Sequence, residues 1–177
     1  MPAPPARSRA FDDGWMIRRI TAADAEVFRQ VRLQALADSP DAFASTYAAE
    51  AAFPDATWIE RAATAAEGDE RTMFLAFDGG RCVGLAGGMS DENGADKQLI
   101  SMWVAPSHRG TGAATELVDA VLAWATESGA GEVALWVTRG NGRAQRLYER
   151  LGFVVTGDVQ PLPSDPCKDE LRMVHGQ

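Results

Sequence analysis

Arg109-Gly110-Thr111-Gly112-Ala113-Ala114-Thr115 joins an apolar run, Ser101-Met102-Trp103-Val104, to an amphipathic one, Glu116 to Thr126. A strand that feeds a small-residue turn opening a helix leaves backbone N–H groups without intrahelical partners. Those donors and the positive end of the helix dipole suit an anion. Gly110 and Gly112 carry no Cβ, so the main chain can approach that anion closely. The chemistry implied is the seating of a phosphate-bearing ligand. A P-loop would end in Gly-Lys-Ser/Thr, whereas Gly112 is followed by two alanines. A dinucleotide fingerprint needs a third glycine and a ribose-binding acid on the next strand, and neither fits. A plain tight turn into a helix is the reading that needs no ligand.

The second chemistry-bearing segment is Asn141-Gly142-Arg143-Ala144-Gln145-Arg146-Leu147-Tyr148-Glu149-Arg150-Leu151-Gly152-Phe153. Asn141 suits a helix cap. Tyr148 carries a phenol with an ordinary pKa of about 10, protonated at neutral pH and able to donate. It could also be one more apolar helix residue beside Leu147 and Leu151. Taken with Arg109-x-x-Gly112-x-Ala114 after Val104-Ala105-Pro106, this segment closely resembles the GNAT family of acetyl-CoA-dependent N-acetyltransferases. The resemblance is dense from Leu99 to Phe153, and the strand order extends it weakly over nearly the whole folded chain.

The resemblance implies an α/β, GNAT-type acyl-CoA N-acyltransferase fold. That is one mixed, mostly antiparallel sheet of about seven strands with helices on both faces. It implies acetyl-CoA as co-substrate, its pantetheine arm entering where the fourth and fifth strands splay apart. The arm would bond main-chain groups of Met102, Trp103 and Val104. The pyrophosphate would rest on the amides of Gly110, Thr111, Gly112, Ala113, Ala114 and Thr115, with Arg109 adding charge. Asn141 would also contact the arm. Tyr148 would protonate the departing thiolate, which should resemble a cysteine of pKa about 8.5. His108, Arg139, Arg143 and Arg146 could offset the acidic body for a polyanion, or be ordinary solvated surface.

The implied reaction moves an acetyl group from acetyl-CoA to a primary amine of a small molecule or peptide by direct attack. Many family members place a Glu on the fourth strand to deprotonate the amine, but Lys97-Gln98-Leu99-Ile100-Ser101 has Gln98 there. The branch that acetylates ribosomal-protein N-termini has a Glu on the fifth strand, where this chain reads Leu135-Trp136-Val137. Asp96, Asp165, Glu50 or a water chain are the substitutes. The missing acid also keeps open a non-catalytic acyl-CoA-binding or sensing module. The resemblance places the acceptor between Leu36–Trp58 and Gln160–Lys168. Asp38, Asp41 and Asp165 there favour a cationic acceptor, and three prolines should stiffen the second stretch. Trp58 is a candidate substrate-facing side chain, while Trp103, Trp124 and Trp136 read as core.

These residues need elements to hold them. The 177 residues carry a net charge of -8, which disfavours a nucleic-acid partner. No apolar run nears the roughly 20 residues of a bilayer span. Met1 to Gly14 lacks the apolar middle of a signal peptide and reads as a disordered tail, with one domain over 15–177. Cys82 and Cys167 lack metal-site spacing, no metal site is expected, and a reduced cytoplasmic protein follows. A homodimer stays open. Trp15 to Ile20 reads as a strand, Thr21 with Asp24 as a helix start, and Ser39-Pro40-Asp41 as its break. A helix after Pro54-Asp55 should bury Trp58, Ile59 and Ala62. Hairpin strands follow at 72–77 and 81–89 around Asp78-Gly79-Gly80, with another turn at Asn93-Gly94. Strands at 98–104 and 133–137, helices after Gly112 and Asn141, and strands at 153–159 and 170–174 complete the order. Pro161 to Pro166 reads as a stiff loop.

Overall fold

The computed structural model describes residues 15–92 and 94–176, so the expected tail over 1–14 and Asn93 of the expected turn lie outside the described residues. Seven strands form one sheet in the order β1-β2-β3-β4-β5-β7-β6. They are β1 (Trp15–Arg19), β2 (Arg71–Asp78), β3 (Arg81–Ser90), β4 (Lys97–Val104), β5 (Glu132–Thr138), β6 (Val154–Leu162) and β7 (Asp165–Gly176). The helices are α1 (Ala25–Asp38), α2 (Tyr47–Ala51), α3 (Asp55–Glu67), α4 (Ala113–Glu127) and α5 (Gly142–Arg150). The expected α/β architecture is therefore observed.

Local chemistry sets the boundaries. Thr21 N and Oγ1 both donate to Asp24 Oδ2 at 2.7 Å, closing the helix start read from that pair. Gly79 and Gly80 turn the β2–β3 hairpin at φ +53° and +84°, values that suit a tight two-residue connection. α1 and α3 pack on each other and on β3 and β2, while α4 lies against β2, β3 and β4. Gly84 and Gly88 make room for α4, since a Cβ there would meet Leu117 and Trp124. The core joins both layers through Phe28, Trp58, Leu75, Leu85, Leu117, Leu135 and Phe153, each at most 2% exposed. Each such side chain contributes about 1.5–3 kcal/mol of burial.

All strand pairs are antiparallel except β4–β5, which is parallel and pairs only at Lys97↔Val133 and Gln98↔Ala134. β4 stays on β3 as far as Val104↔Gly84. The pairing slips between Leu85↔Trp103 and Gly87↔Ile100, so β4 carries an extra residue there. Ser101, at the slip, has φ +58°. Beyond Gln98 and Ala134, β4 and β5 part.

Several expectations need correction. Ile59 is 57% exposed, because the buried stripe of α3 runs through Trp58, Ala62 and Ala65. Pro161 to Pro166 is no loop: β6 extends to Leu162, pairs with Asp165 across Pro163-Ser164, and β7 begins there. β6 is the edge strand, where a proline needs no ladder donor. The five-residue helix α2, capped by Thr46 Oγ1 accepting from Ala49 N at 3.2 Å, was not foreseen.

Candidate active site

The parting of β4 and β5 opens a cleft of about 470 Å³. β4 lines it with Met102, Trp103 and Val104, and the turn with Arg109, Gly110, Gly112, Ala114 and Thr115. α5 and its cap add Asn141, Arg143, Ala144, Leu147, Tyr148 and Arg150. Ser39 and Ala42, beyond the end of α1 and within the 36–58 stretch expected at the acceptor, complete the wall. A recess of about 70 Å³ continues inward, with 99–102 on one side, 135–138 on the other, and Asn141 and Tyr148 shared with the cleft. Of the residues expected at the coenzyme's arm, pyrophosphate and sulfur, only Thr111 and Ala113 do not line the cleft. Thr111 Oγ1 donates to His108 O at 2.6 Å, and Ala113 is fully buried in the core.

The turn keeps its donors available. Gly112 is the N-cap of α4 at φ +102°, and no side chain caps the helix. The first main-chain bond runs from Glu116 N to Gly112 O at 3.1 Å, so the three amides before it have no intrahelical acceptor. A Cβ on Gly110, at φ +83°, would meet nothing within 4 Å. Arg109 Nε donates to Val104 O at 2.9 Å, and its Nη2 pairs with Asp38. The same Asp38 accepts from Trp103 Nε1 at 2.9 Å and from Ser39 Oγ at 2.7 Å. The Trp103 bond above all, with Ser39 and Arg109 behind it, holds the Asp38 carboxyl below its ordinary range against the opposing effect of burial. One carboxylate thus ties the end of α1 to β4 and to the glycine turn.

Tyr148 is 7% exposed and packs edge-on to Phe153, ring centroids 5.7 Å apart. Burial pushes its phenol well above the ordinary value, so it is protonated at neutral pH. Asn141 Oδ1 accepts from Ala144 N at 3.2 Å, the expected cap, while the residue also faces cleft and recess.

The remaining candidates divide. Of the four cationic residues expected near a polyanion, Arg143 lines the cleft. His108 Nε2 lies 2.9 Å from Asp78, and Arg139 lies 3.7 Å from Asp169. Arg146 stands against Gly142, outside the cleft wall. Each proposed base has a structural partner. Asp96 Oδ1 accepts from Glu132 N at 2.9 Å, at the closed end of the β4–β5 pair. Glu50 is buried between Arg32 (2.7 Å) and Arg61 (3.1 Å). Burial alone would raise its carboxyl, but the two guanidiniums hold it below its ordinary value, so it is a poor base. Lys168 bridges Asp165 (3.1 Å) and Asp41 (2.7 Å), so with the Asp38–Arg109 pair all three acids of the expected acidic acceptor pocket carry a cation of their own chain. Trp58 is 2% exposed against Phe28 and Phe53 and cannot face a substrate. Trp103 and Trp124 are buried as expected, but Trp136 is half-buried and lines the recess, because the parted strands leave its face uncovered.

A sequence model described as the acetyltransferase (GNAT) family matches residues 33–153. An uncharacterized N-acetyltransferase of Mycobacterium tuberculosis is 39% identical over 87 residues, covering 49% of this chain and 55% of that protein. N-alpha-acetyltransferase MAK3 of Arabidopsis thaliana is 41% identical over 83 residues, covering 46% and 44%. The chain thus spans about half the length of the curated relatives it matches. In fold it is similar to an acetyltransferase of the GNAT family from Streptococcus pneumoniae, with TM-score 0.79, 20% identity and coverage of 92% of this chain and 99% of that one. The matched segment contains β4, the glycine turn, α4, β5 and α5, which between them build nearly all of the cleft: the chain belongs to the acetyltransferase (GNAT) family.

Proposed function

We propose that this chain transfers an acetyl group from acetyl-CoA to a primary amine of a small molecule or peptide by direct attack. The observation that carries the reading is Tyr148: a proton-bearing hydroxyl, bonded to no other described residue, at the recess where the parted strands meet the cleft. The residues present fit acetyl-CoA. The uncapped first turn of α4 suits a diphosphate, with Arg143 adding charge and Arg109 held in place by Asp38. The edge of β4 at Met102, Trp103 and Val104, released from β5, suits an amide-bearing arm beside Asn141.

Acetyl-CoA, when bound, supplies an activated acyl carbon as a thioester. Tyr148 Oη, kept protonated by burial, donates toward the sulfur. A developing thiolate accepts a hydrogen bond better than a thioester does, so the contact strengthens as the C–S bond breaks. The raised phenol favours hydrogen-bond donation over complete proton loss. The name of the Arabidopsis relative supports a peptide amine as one class of acceptor.

The test is thiol release across a panel of small-molecule and peptide amines, with calorimetry of CoA binding. Tyr148→Phe should lower kcat by roughly 100-fold with CoA affinity unchanged. Binding of CoA without thiol release on every amine would favour the sensing module, and no binding heat at all would sink both readings.

A further inference from the structure

Among the described residues, Glu170 is the buried carboxylate without an ion pair. It lies on β7 at 6% exposure and makes no ion pair with any described residue. Its Oε2 accepts from Gln160 Nε2 at 3.0 Å. Its Oε1 accepts from no described residue, yet it is not among the sealed unpaired polar atoms, which are Trp58 Nε1, Thr72 Oγ1 and Trp124 Nε1. One oxygen is therefore fixed and the other is free and within reach of solvent. Buried carboxylates are ordinarily paired, so one left unpaired calls for an explanation.

The register supplies one. Glu170 is paired with Thr138 of β5 and Gln160 of β6, so the three side chains share one face of the sheet. Thr138 Oγ1 donates to Asp41 O at 2.5 Å, which marks this as the face covered by the segment after α1. Directly opposed Cβ atoms lie about 4.5–5.5 Å apart. Thr138 lines both the recess shared by Tyr148 and an outer hollow of about 510 Å³ walled by Ser39, Asp41, Ala42 and Lys168. Glu170 thus stands one side chain from the junction of hollow and recess. The charged groups nearest it are committed elsewhere. On its own strand face, Lys168 holds Asp41 and Asp165, and Arg172 holds Glu132 (2.9 Å) and Asp158 (3.9 Å). β5 presents uncharged Thr138 and Trp136, and β6 presents Gln160 beside that Asp158.

We propose that Glu170 takes the proton from a protonated amine that enters through the hollow beside Thr138. The assignment rests on the acetyltransferase reading. The ammonium N–H bond breaks and its proton goes to Glu170 Oε1, directly or across one water. The freed lone pair forms the C–N bond to the acetyl carbon of acetyl-CoA. The C–S bond breaks with its electrons on sulfur, stabilised by the Tyr148 hydroxyl. The excess proton left on the acylated nitrogen passes through water to that sulfur, so the product is a neutral amide and CoA leaves as its thiol, while Glu170 returns its proton to solvent.

Glu170→Gln keeps the volume and an acceptor for Gln160. On the panel amine that turns over fastest, it should lower kcat/KM about 100-fold at pH 7. The gap should narrow as pH approaches the amine's own pKa, near 10 for an alkyl amine. CoA binding heat and the thermal midpoint should stay those of the wild type. Gln160→Leu, which leaves the carboxylate in place and removes the amide that orients it, should lower kcat/KM at pH 7 with CoA binding heat unchanged. An active wild type with Glu170→Gln matching it, or reduced equally at every pH, overturns the assignment alone, as does an unchanged kcat/KM in Gln160→Leu. A wild type that binds CoA and acetylates no amine overturns the transferase reading and this assignment with it.

Discussion

Glu50 shows how one residue can organise a wall of the site without touching a ligand. Its two oxygens take Arg32 Nε at 3.0 Å, Arg32 Nη2 at 2.7 Å and Arg61 Nη1 at 3.1 Å. Arg32 lies 4.7 Å over the Phe43 ring and donates from Nη1 to Ser101 Oγ at 3.1 Å. That bond holds the β4 residue whose left-handed conformation marks the register slip, a conformation that is costly outside glycine. Glu50→Ala leaves two guanidiniums facing each other without their anion. The expected loss is about 3–5 kcal/mol in urea unfolding, since breaking a buried pair strands its charges. A loss below 1 kcal/mol would show that Arg32 and Arg61 find solvent instead. Residues in and around the cleft differ in how far the sequence reveals their position. Tyr148 and Asn141 were legible because their neighbours form one continuous motif. Glu170 was not, because its burial arises from the register of β7 against β5 and β6, which no local pattern encodes. Asp41 and Asp165 were visible as acids, but their bridge through Lys168 joins Asp41 to a lysine 127 positions along the chain.

At the scale of elements, the far end of α4 sits tightly on the sheet. A Cβ on Gly88 would lie 2.5 Å from Trp124 Cζ3, and Lys97 Nζ stands 5.1 Å from the same ring on another side. Lys97 is itself pinned by Asp69 O at 2.9 Å and Ser90 Oγ at 2.8 Å, so the indole has little room to swing. Gly88→Ala should therefore cost about 1–3 kcal/mol, read as a lowered thermal midpoint with the far-ultraviolet spectrum retained. The helices and hairpins near this seat were readable because caps and turn glycines are local signals. The β6–β7 hairpin was misread for the opposite reason. Its prolines look like a loop until the edge position of β6 is known, and that position is a property of the whole sheet.

For the whole molecule, the ionisable groups set an acid limit on stability. Asp24 is held well below its ordinary carboxyl value chiefly by its hydrogen bond from Arg18, with Thr21 assisting against burial. Asp38 and Glu50 are lowered as well. A depressed native carboxyl binds fewer protons than the unfolded chain over its titration range, so stability rises with pH there. Their contribution is complete above the ordinary carboxylate range and is lost as pH falls through and below it. The urea midpoint should drop between about pH 5 and pH 3. A flat midpoint over that interval would contradict the pairing.

The two pairs that join β4 to β5 have a mechanical consequence. They are the whole hydrogen-bonded ladder between a four-stranded half, β1 to β4, and a three-stranded half, β5 to β6 through β7. A sheet cut so nearly through has a seam, and a seam is where a wedge acts. A guest that lodged between the halves and bonded to both would act as a rivet, raising the resistance of the folded chain to unfolding by an amount that grows with its concentration relative to its dissociation constant.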